Sequence, residues 1–229
     1  MIVITLTLVV AIALGTIFSK LLPNNSKTAS TATSTDNKVT KISLQKDTTV
    51  NKVRTDVSKN TSQNNSKNYV ALQCGVFTKK ESALVLKNSL AEYGTPFIVV
   101  EDKLNKVLLG VYPKGGADSI IKELTAKKIT YAKINFQLQG NDLTSAQTNE
   151  MISADITILN KLSLKNTKDV KTVELKKWIT ALTGADKTNK NYVSMNTIKS
   201  YLTALPEKVE KDKTEEGYIY IYNFIKKQI

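Results

Sequence analysis

The chain has 229 residues and a net charge of +13, with no histidine and one cysteine. This composition excludes histidine-based catalysis, histidine metal sites, internal disulfides and multi-cysteine zinc sites. No carboxylate pair or phosphate-binding glycine loop stands out by its spacing. We therefore interpret the chain as a binding protein that uses no metal and no cofactor, and not as an enzyme.

The first predicted element is a membrane anchor. Residues Met1–Leu22 are almost entirely apolar, and about 20 such residues span the hydrocarbon core of a bilayer. No basic residue precedes the apolar run, and no small-x-small cleavage signal follows it, as a signal peptide would require. We expect an uncleaved single-pass transmembrane helix.

Residues Pro23–Asn68 are predicted to be a disordered linker. Ser, Thr, Asn and Lys dominate this stretch and aromatic residues are absent, so it cannot bury enough apolar surface to fold. As a flexible coil it would span roughly 40 Å on average, which would let a tethered domain reach a layer above the membrane.

Residues 69–139 show the pattern of a folded α+β domain. Apolar residues alternate in the strands and recur every three or four positions in the helices. The predicted order is strand, helix, strand, strand, helix, strand: Tyr69–Phe77, Lys79–Tyr93, Pro96–Glu101, Lys106–Tyr112, Ala117–Lys128 and Tyr131–Gln137. This βαββαβ order predicts a ferredoxin-like sandwich with the first and third strands in the centre of the sheet.

The two helices are expected to cover one face of the sheet and to leave the other open. Strand periodicity predicts these side chains beneath the helices: Val70, Leu72, Cys74, Val76, Val107, Leu109, Val111, Ala132, Ile134 and Phe136. It predicts these polar side chains on the open face: Gln73, Lys106, Tyr131, Lys133 and Asn135. Such a face suits a polar polymer rich in hydroxyl and amide groups, although antiparallel sheets commonly have a solvated face without function. The second strand is apolar on both sides, so its register stays open.

The stretch Gln73-Cys74-Gly75-Val76-Phe77, followed by a helix that ends at Gly94 and by Lys106-Val107-Leu108-Leu109-Gly110, resembles the SPOR domain. The resemblance implies binding of septal peptidoglycan, with a preference for glycan strands stripped of stem peptides, through the open face of the sheet. Gln73 matches the family glutamine of the first strand. Lys106 stands in the place of the usual arginine. It keeps the positive charge but lacks the planar guanidinium group that can form two parallel hydrogen bonds.

Further positions follow from the same resemblance. Leu104 lies near a position that is often aromatic, Val76 replaces a frequent serine, and Val111 replaces the usual proline. The glycan-binding residues that we expect are Gln73, Val76, Leu104, Lys106, Tyr131, Lys133 and Asn135.

The membrane orientation is open to two interpretations. Lys20 and Lys27 follow the apolar run, which by the positive-inside rule would place the domain in the cytoplasm. Long domains cross membranes largely regardless of charge, and the resemblance implies a target in the cell wall. We expect an extracytoplasmic domain that is enriched at the septum.

Residues 140–229 are predicted to be a helical C-terminal region. Apolar residues at helical spacing mark Leu143–Leu164, Thr167–Thr183 and Thr188–Leu205, with Asp142 or Thr144 as a cap of the first helix. The alternation in Tyr218–Ile225 favours a strand, but its neighbours and the terminal lysines favour a helix, which we prefer. This region is either a separate module or packs on the preceding domain. The order of anchor, linker, domain and tail also resembles the stage II sporulation protein B family of endospore formers.

The sequence allows a second function and disfavours a third. The chain could be a membrane-tethered interaction scaffold, in which the C-terminal helices bind a protein of the division or sporulation machinery. Nucleic-acid binding is disfavoured because the positive charge is dispersed and Arg54 is the only arginine. The central strands also lack the stacking aromatics of RNA-binding domains with this strand order.

Overall fold

The computed structural model describes residues 66–229, and all of them belong to one compact unit. The predicted anchor Met1–Leu22 lies outside the described residues, as does nearly all of the predicted linker Pro23–Asn68. Between residues 66 and 229, no helix combines the length and the apolar character that crossing a bilayer requires.

The central feature is a four-stranded antiparallel sheet, which confirms the predicted α+β class. Its strands are β1 (Lys67–Phe77), β2 (Pro96–Glu101), β3 (Leu104–Pro113) and β4 (Ala132–Leu138). They lie in the order β2-β3-β1-β4, so the first and third strands are central, as predicted. Asp102 and Lys103, between β2 and β3, both have positive φ, which is the geometry of a tight type I′ hairpin.

Helices α1 (Lys80–Ser89) and α2 (Asp118–Ala126) cover one face of the sheet. Beneath them lies a core in which Leu72, Val107 and Leu109 are fully buried. Ala83 of α1 and Leu124 of α2 complete it. For Leu72, Val107 and Leu109 this agrees with the prediction from strand periodicity.

The C-terminal region is helical, with one small sheet that the sequence pattern did not predict. Its elements are α3 (Leu143–Leu162), β5 (Asp169–Lys171), α4 (Val173–Ala181), α5 (Tyr192–Ala204), β6 (Lys208–Glu210) and α6 (Thr214–Lys226). Strands β5 and β6 pair with each other. Asp142 caps α3, since its Oδ1 accepts a 2.9 Å hydrogen bond from the amide of Ser145. The preferred helical interpretation of Tyr218–Ile225 is confirmed.

The sheet face that was predicted to be open is covered, so that expectation was wrong. Helices α3 and α6 pack on it and bury a second apolar core. Phe97 of β2 stacks on Tyr218 at 5.4 Å between ring centroids, and Phe136 of β4 meets Tyr222 edge-on at 5.7 Å. The hydroxyl of Tyr69 reaches Ser153 of α3 at 2.7 Å. The sheet is therefore the middle of three layers, which explains why β2 is apolar on both sides.

Helix α6 runs along β2 with matching side-chain spacing. Two residues of a strand advance about 6.6 Å and four residues of a helix about 6 Å, so the two repeats stay in step. Phe97 meets Tyr218 at one end, and Glu101 meets Lys226 at the other, 2.6 Å between Oε2 and Nζ. Lys87 of α1 also pairs with Glu215 of α6, so the two layers are joined beside β2.

Irregular pairing in β1 and β3 reverses the predicted direction of several side chains. The register between these strands shifts on both sides of Gln73. Beyond the shift, Phe77 packs against the core beneath α1, whereas the prediction placed Val76 there. In β3, Gly110 has a φ of 75°, after which Tyr112 faces that core and Val111 faces α3 and α6. A β-bulge changes alternation in this way because it adds an unpaired residue to one strand.

Strand β4 is turned over relative to the prediction. Phe136 pairs with Tyr69, and both side chains lie on the face that α3 and α6 cover, while Asn135 pairs with Val70 on the opposite face. The prediction assumed a single core, and the apolar side of an edge strand was assigned to it. Because a second core exists, alternation alone does not determine which of the two cores the apolar side chains of β4 enter.

Candidate functional site

The seven residues predicted to bind glycan fall on two opposite faces of the sheet. Val76 pairs with Lys106 and Gln73 pairs with Leu108, so strand alternation places one group at the hairpin end of the covered face: Gln73, Val76, Leu104 and Lys106. The other group lies on the face of α1 and α2: Tyr131, Lys133 and Asn135. The structure therefore does not bring the seven together.

In the first group, Lys106 is engaged within the protein. Its ammonium lies 2.6 Å from Oε2 of Glu101, and the ammonium of Lys226 lies 2.6 Å from the same oxygen. Partial burial alone would raise the pKa of Glu101, but these two lysines outweigh it and hold that pKa below its ordinary value. Through Glu101, Lys106 thus helps to hold the end of α6 against the sheet. Val76, which is 42% exposed, is the accessible member of the group.

In the second group, a row of side chains follows the edge strand β4. Lys133 and Asn135 pair with Leu72 and Val70, and Gln137 pairs with Asn68. Tyr131, at the start of the row, packs its ring against the core beneath α1 and α2. The prediction correctly grouped these residues on one face, although it chose the wrong one. Lys133, Asn135 and Gln137 are exposed at the uncovered edge of the sheet.

This row forms one side of a groove of about 680 Å³. The first turn of α2 and the loop after β3 form the other side. We define the polar groove by its charged and amide side chains: Asn68, Lys114, Asp118, Lys133, Asn135 and Gln137. The amide of Lys114 donates a 2.9 Å hydrogen bond to the carbonyl of Asn68, which holds the loop against β1.

The amide and lysine side chains of the polar groove are free within the described part of the chain. Among residues 66–229, no hydrogen bond or ion pair engages the side chains of Asn68, Lys114, Lys133, Asn135 or Gln137. The three amides offer both donors and acceptors, and the two ammonium groups offer donors and charge. Such a set can bind hydroxyl, acetamido and carboxylate groups without first breaking internal contacts.

Sequence reasoning left Gln137, the last residue of the predicted strand, out of the site, and it also missed Asn68, Lys114 and Asp118. Asn68 was assigned to the linker, and the other two lie in or next to a glycine-rich loop. They meet β4 only because β1 is its neighbour in the sheet. Strand order could have suggested Asn68, but no pattern in the sequence marks Lys114.

The other reactive groups in the described part of the chain do not form a second site. Cys74 packs against the core beneath α1, and burial raises the pKa of its thiol to about 11, so it remains protonated at neutral pH. Within residues 66–229, no cluster of three or more potential metal ligands is found.

Comparisons with known proteins add no family to this geometry. No protein-family model matches the chain, and neither the curated proteins nor the solved structures gave a significant match.

Proposed function

We propose that this protein is a non-catalytic, membrane-anchored binder of peptidoglycan, which holds glycan strands poor in stem peptides in the polar groove. Binding of such strands would bring the protein to the division or sporulation septum. The observation that carries the proposal is the groove itself. Five amide and lysine side chains that have no partner among residues 66–229 line its volume of about 680 Å³ beside an edge strand.

The arrangement of these side chains suits an extended sugar polymer. Lys133, Asn135 and Gln137 stand two residues apart on one strand, which gives a straight row about 13 Å long. Tyr131, half-buried against the core, lies at the start of this row but does not line the groove. The hydrogen-bonded sheet fixes the backbone positions of the row before binding, whereas its exposed side chains still lose rotamer freedom when they bind.

The strand order and the helices over one face also support the SPOR-like, ferredoxin-like interpretation of residues 69–139. The proposal differs from that resemblance in the surface used. The face that the resemblance implies lies under α3 and α6, so binding there would require the exposure of a buried aromatic cluster.

Sedimentation of the full-length protein with peptidoglycan sacculi tests this proposal. We expect co-sedimentation that increases after an amidase removes stem peptides. The double variant Lys133→Ala/Asn135→Ala should lose roughly ten-fold or more in affinity, because several groove contacts disappear together.

The matched control is Gln73→Ala, which changes a predicted residue on the opposite face and should leave sedimentation unaltered. If Gln73→Ala weakens binding and the groove variant does not, the groove is not the binding surface. If the unaltered protein does not sediment with sacculi at all, the proposed function is wrong.

A further inference from the structure

Strand β4 forms one edge of the four-stranded sheet, and β1 is its only strand partner among residues 66–229. Every second residue of an edge strand points its backbone N–H and C=O groups away from the sheet, where they can pair with another strand. At the other edge, helices α1 and α6 are joined beside β2 by the ion pair of Lys87 and Glu215. We propose that β4 pairs antiparallel with β4 of a second copy of this chain, so that the two sheets join across a two-fold axis.

The composition of β4 offers little protection against such pairing. Natural proteins commonly guard an edge strand with proline, several charged residues or a bulge. Lys133 is the only charged residue of Ala132–Leu138, the strand contains no proline, and it pairs with β1 without a register shift. On the face of α3 and α6, Ala132 is exposed and Ile134 is only partly buried, so some apolar surface is left uncovered at this edge.

The side chains of β4 complement one another in one antiparallel register. A two-fold axis perpendicular to the sheet keeps the helix layers of both copies aligned, so residues of the same face must stand opposite each other. All seven residues pair when the axis passes through Asn135. Lys133 then stands opposite Gln137 of the second copy. An axis at Lys133 would instead oppose two like charges, which destabilises a sheet.

The same register covers the apolar surface at the edge. It places Ala132 opposite Leu138 of the second copy, and Ile134 opposite Phe136. Leu138 and Phe136 are each 3% exposed in one copy, so the exposed apolar start of one strand would lie beside the buried end of the other. Charge and burial therefore favour the register in which the whole of β4 is paired.

Pairing of this kind would widen the polar groove. The row of Lys133, Asn135 and Gln137 would lie about 4.8 Å from the same row of the second copy, which runs in the opposite direction. The first turn of α2 in each copy would then flank a floor of four strands, and a glycan would contact residues of both copies. This consequence rests on the proposed function, whereas the pairing itself does not.

Disulfide crosslinking of the full-length protein in vesicles tests the pairing, because tethering to one membrane raises the effective concentration of the copies. Cys74→Ala first removes the native thiol. In that background Asn135→Cys should form covalent dimers about ten-fold faster than Val85→Cys, because opposite residues of antiparallel strands have Cβ atoms about 5 Å apart, close to disulfide geometry. Val85 is the control because it is 71% exposed on α1. Equal rates for the two variants would overturn the inference.

The register is tested by charge. Gln137→Glu places a carboxylate opposite Lys133 of the second copy and should strengthen association roughly three- to ten-fold, whereas Gln137→Lys should weaken it by a similar factor. Energy transfer between labelled copies in vesicles measures both effects. The matched controls are Asn166→Glu and Asn166→Lys, which change an exposed residue outside β4 and should leave association unaltered.

No effect at Gln137, or equal effects at Gln137 and Asn166, would overturn the inference. Association of the copies without binding to sacculi would refute the proposed function alone. Binding to sacculi without association would refute the inference alone.

Discussion

Deleting residues 140–229 is expected to abolish the folded state of the sheet, even though residues 66–139 contain a complete βαββαβ unit. In the whole protein Phe97 and Leu108 are fully buried and Phe136 is 3% exposed. Helices α3 and α6 cover these side chains, so the deletion would expose the whole apolar face. Full burial of each such side chain stabilises a protein by about 1.5–3 kcal/mol, and total stability is only about 5–15 kcal/mol.

Circular dichroism, urea denaturation and binding of a hydrophobic dye measure this effect. We expect the shortened chain to bind the dye and to show no cooperative transition. A point variant separates loss of the core from loss of chain length: Tyr222→Ala in the full-length protein should lower the free energy of unfolding by about 3–5 kcal/mol. Tyr192→Ala is the control, because this residue is half-buried and outside the aromatic cluster. A cooperative transition in the shortened chain would show that the sheet does not need the second core.

Because the C-terminal helices cover one face of the sheet, the choice of chain boundaries matters for experiments on this protein. A fragment chosen from the sequence alone would end near Leu138, because the βαββαβ pattern is complete there. The aromatic contacts of Phe97 and Phe136 show that this boundary cuts through a core. Variants in intact protein are therefore the appropriate material for binding experiments.

Local patterns in the sequence predict much of the fold correctly. Apolar spacing identified the elements of the sheet, the β2–β3 hairpin and most of the helices, and it placed Leu72, Val107 and Leu109 in one core. These predictions depend on near neighbours in the chain, for which periodicity is informative. The short pair β5 and β6 was missed because strands of three residues carry too little alternation to detect.

The candidate site was harder to predict because it depends on contacts between distant residues. Alternation showed that Lys133 and Asn135 share a face, but the direction of that face depends on whether a second core exists. The reversal at Val76 and Phe77 comes from irregular pairing in β1 next to Gly75, and a lone glycine in a strand suggests a bulge without giving its position or direction. Lys114 joins the groove through a loop contact with Asn68, which strand propensity does not report.

Asp155 of α3 is expected to make the protein less stable as the pH rises. Its side chain is 1% exposed, and its Oδ2 has no hydrogen-bond partner within the described residues. Tyr201 of α5 and both Tyr218 and Tyr220 of α6 lie within electrostatic range, and they offer no positive charge. Burial therefore raises the pKa of Asp155 to about 8, far above the value of about 3.9 expected for the unfolded chain.

The sign follows from proton binding. Between about pH 4 and pH 8 the folded protein holds a proton on Asp155 that the unfolded chain has released, so raising the pH favours unfolding. The contribution of the neutral Asp155 carboxyl to the free energy of unfolding is fully present below about pH 4. It is lost as the pH rises through about 8. Asp155→Asn keeps the shape and removes the titration, so the variant should exceed the unaltered protein by on the order of 3 kcal/mol at pH 8 and by little at pH 4.

Urea denaturation at a series of pH values between 4 and 8 measures both curves. Asp142→Asn, at the start of the same helix, is a control of opposite sign. Partial burial would raise the pKa of Asp142, but hydrogen bonds from Ser145 prevail and lower it, so its ionised form stabilises the fold and this contribution fades as the pH falls. Asp142→Asn should thus weaken the protein more at neutral than at acidic pH. Parallel curves for Asp155→Asn and the unaltered protein would mean that Asp155 does not hold its proton in the folded state.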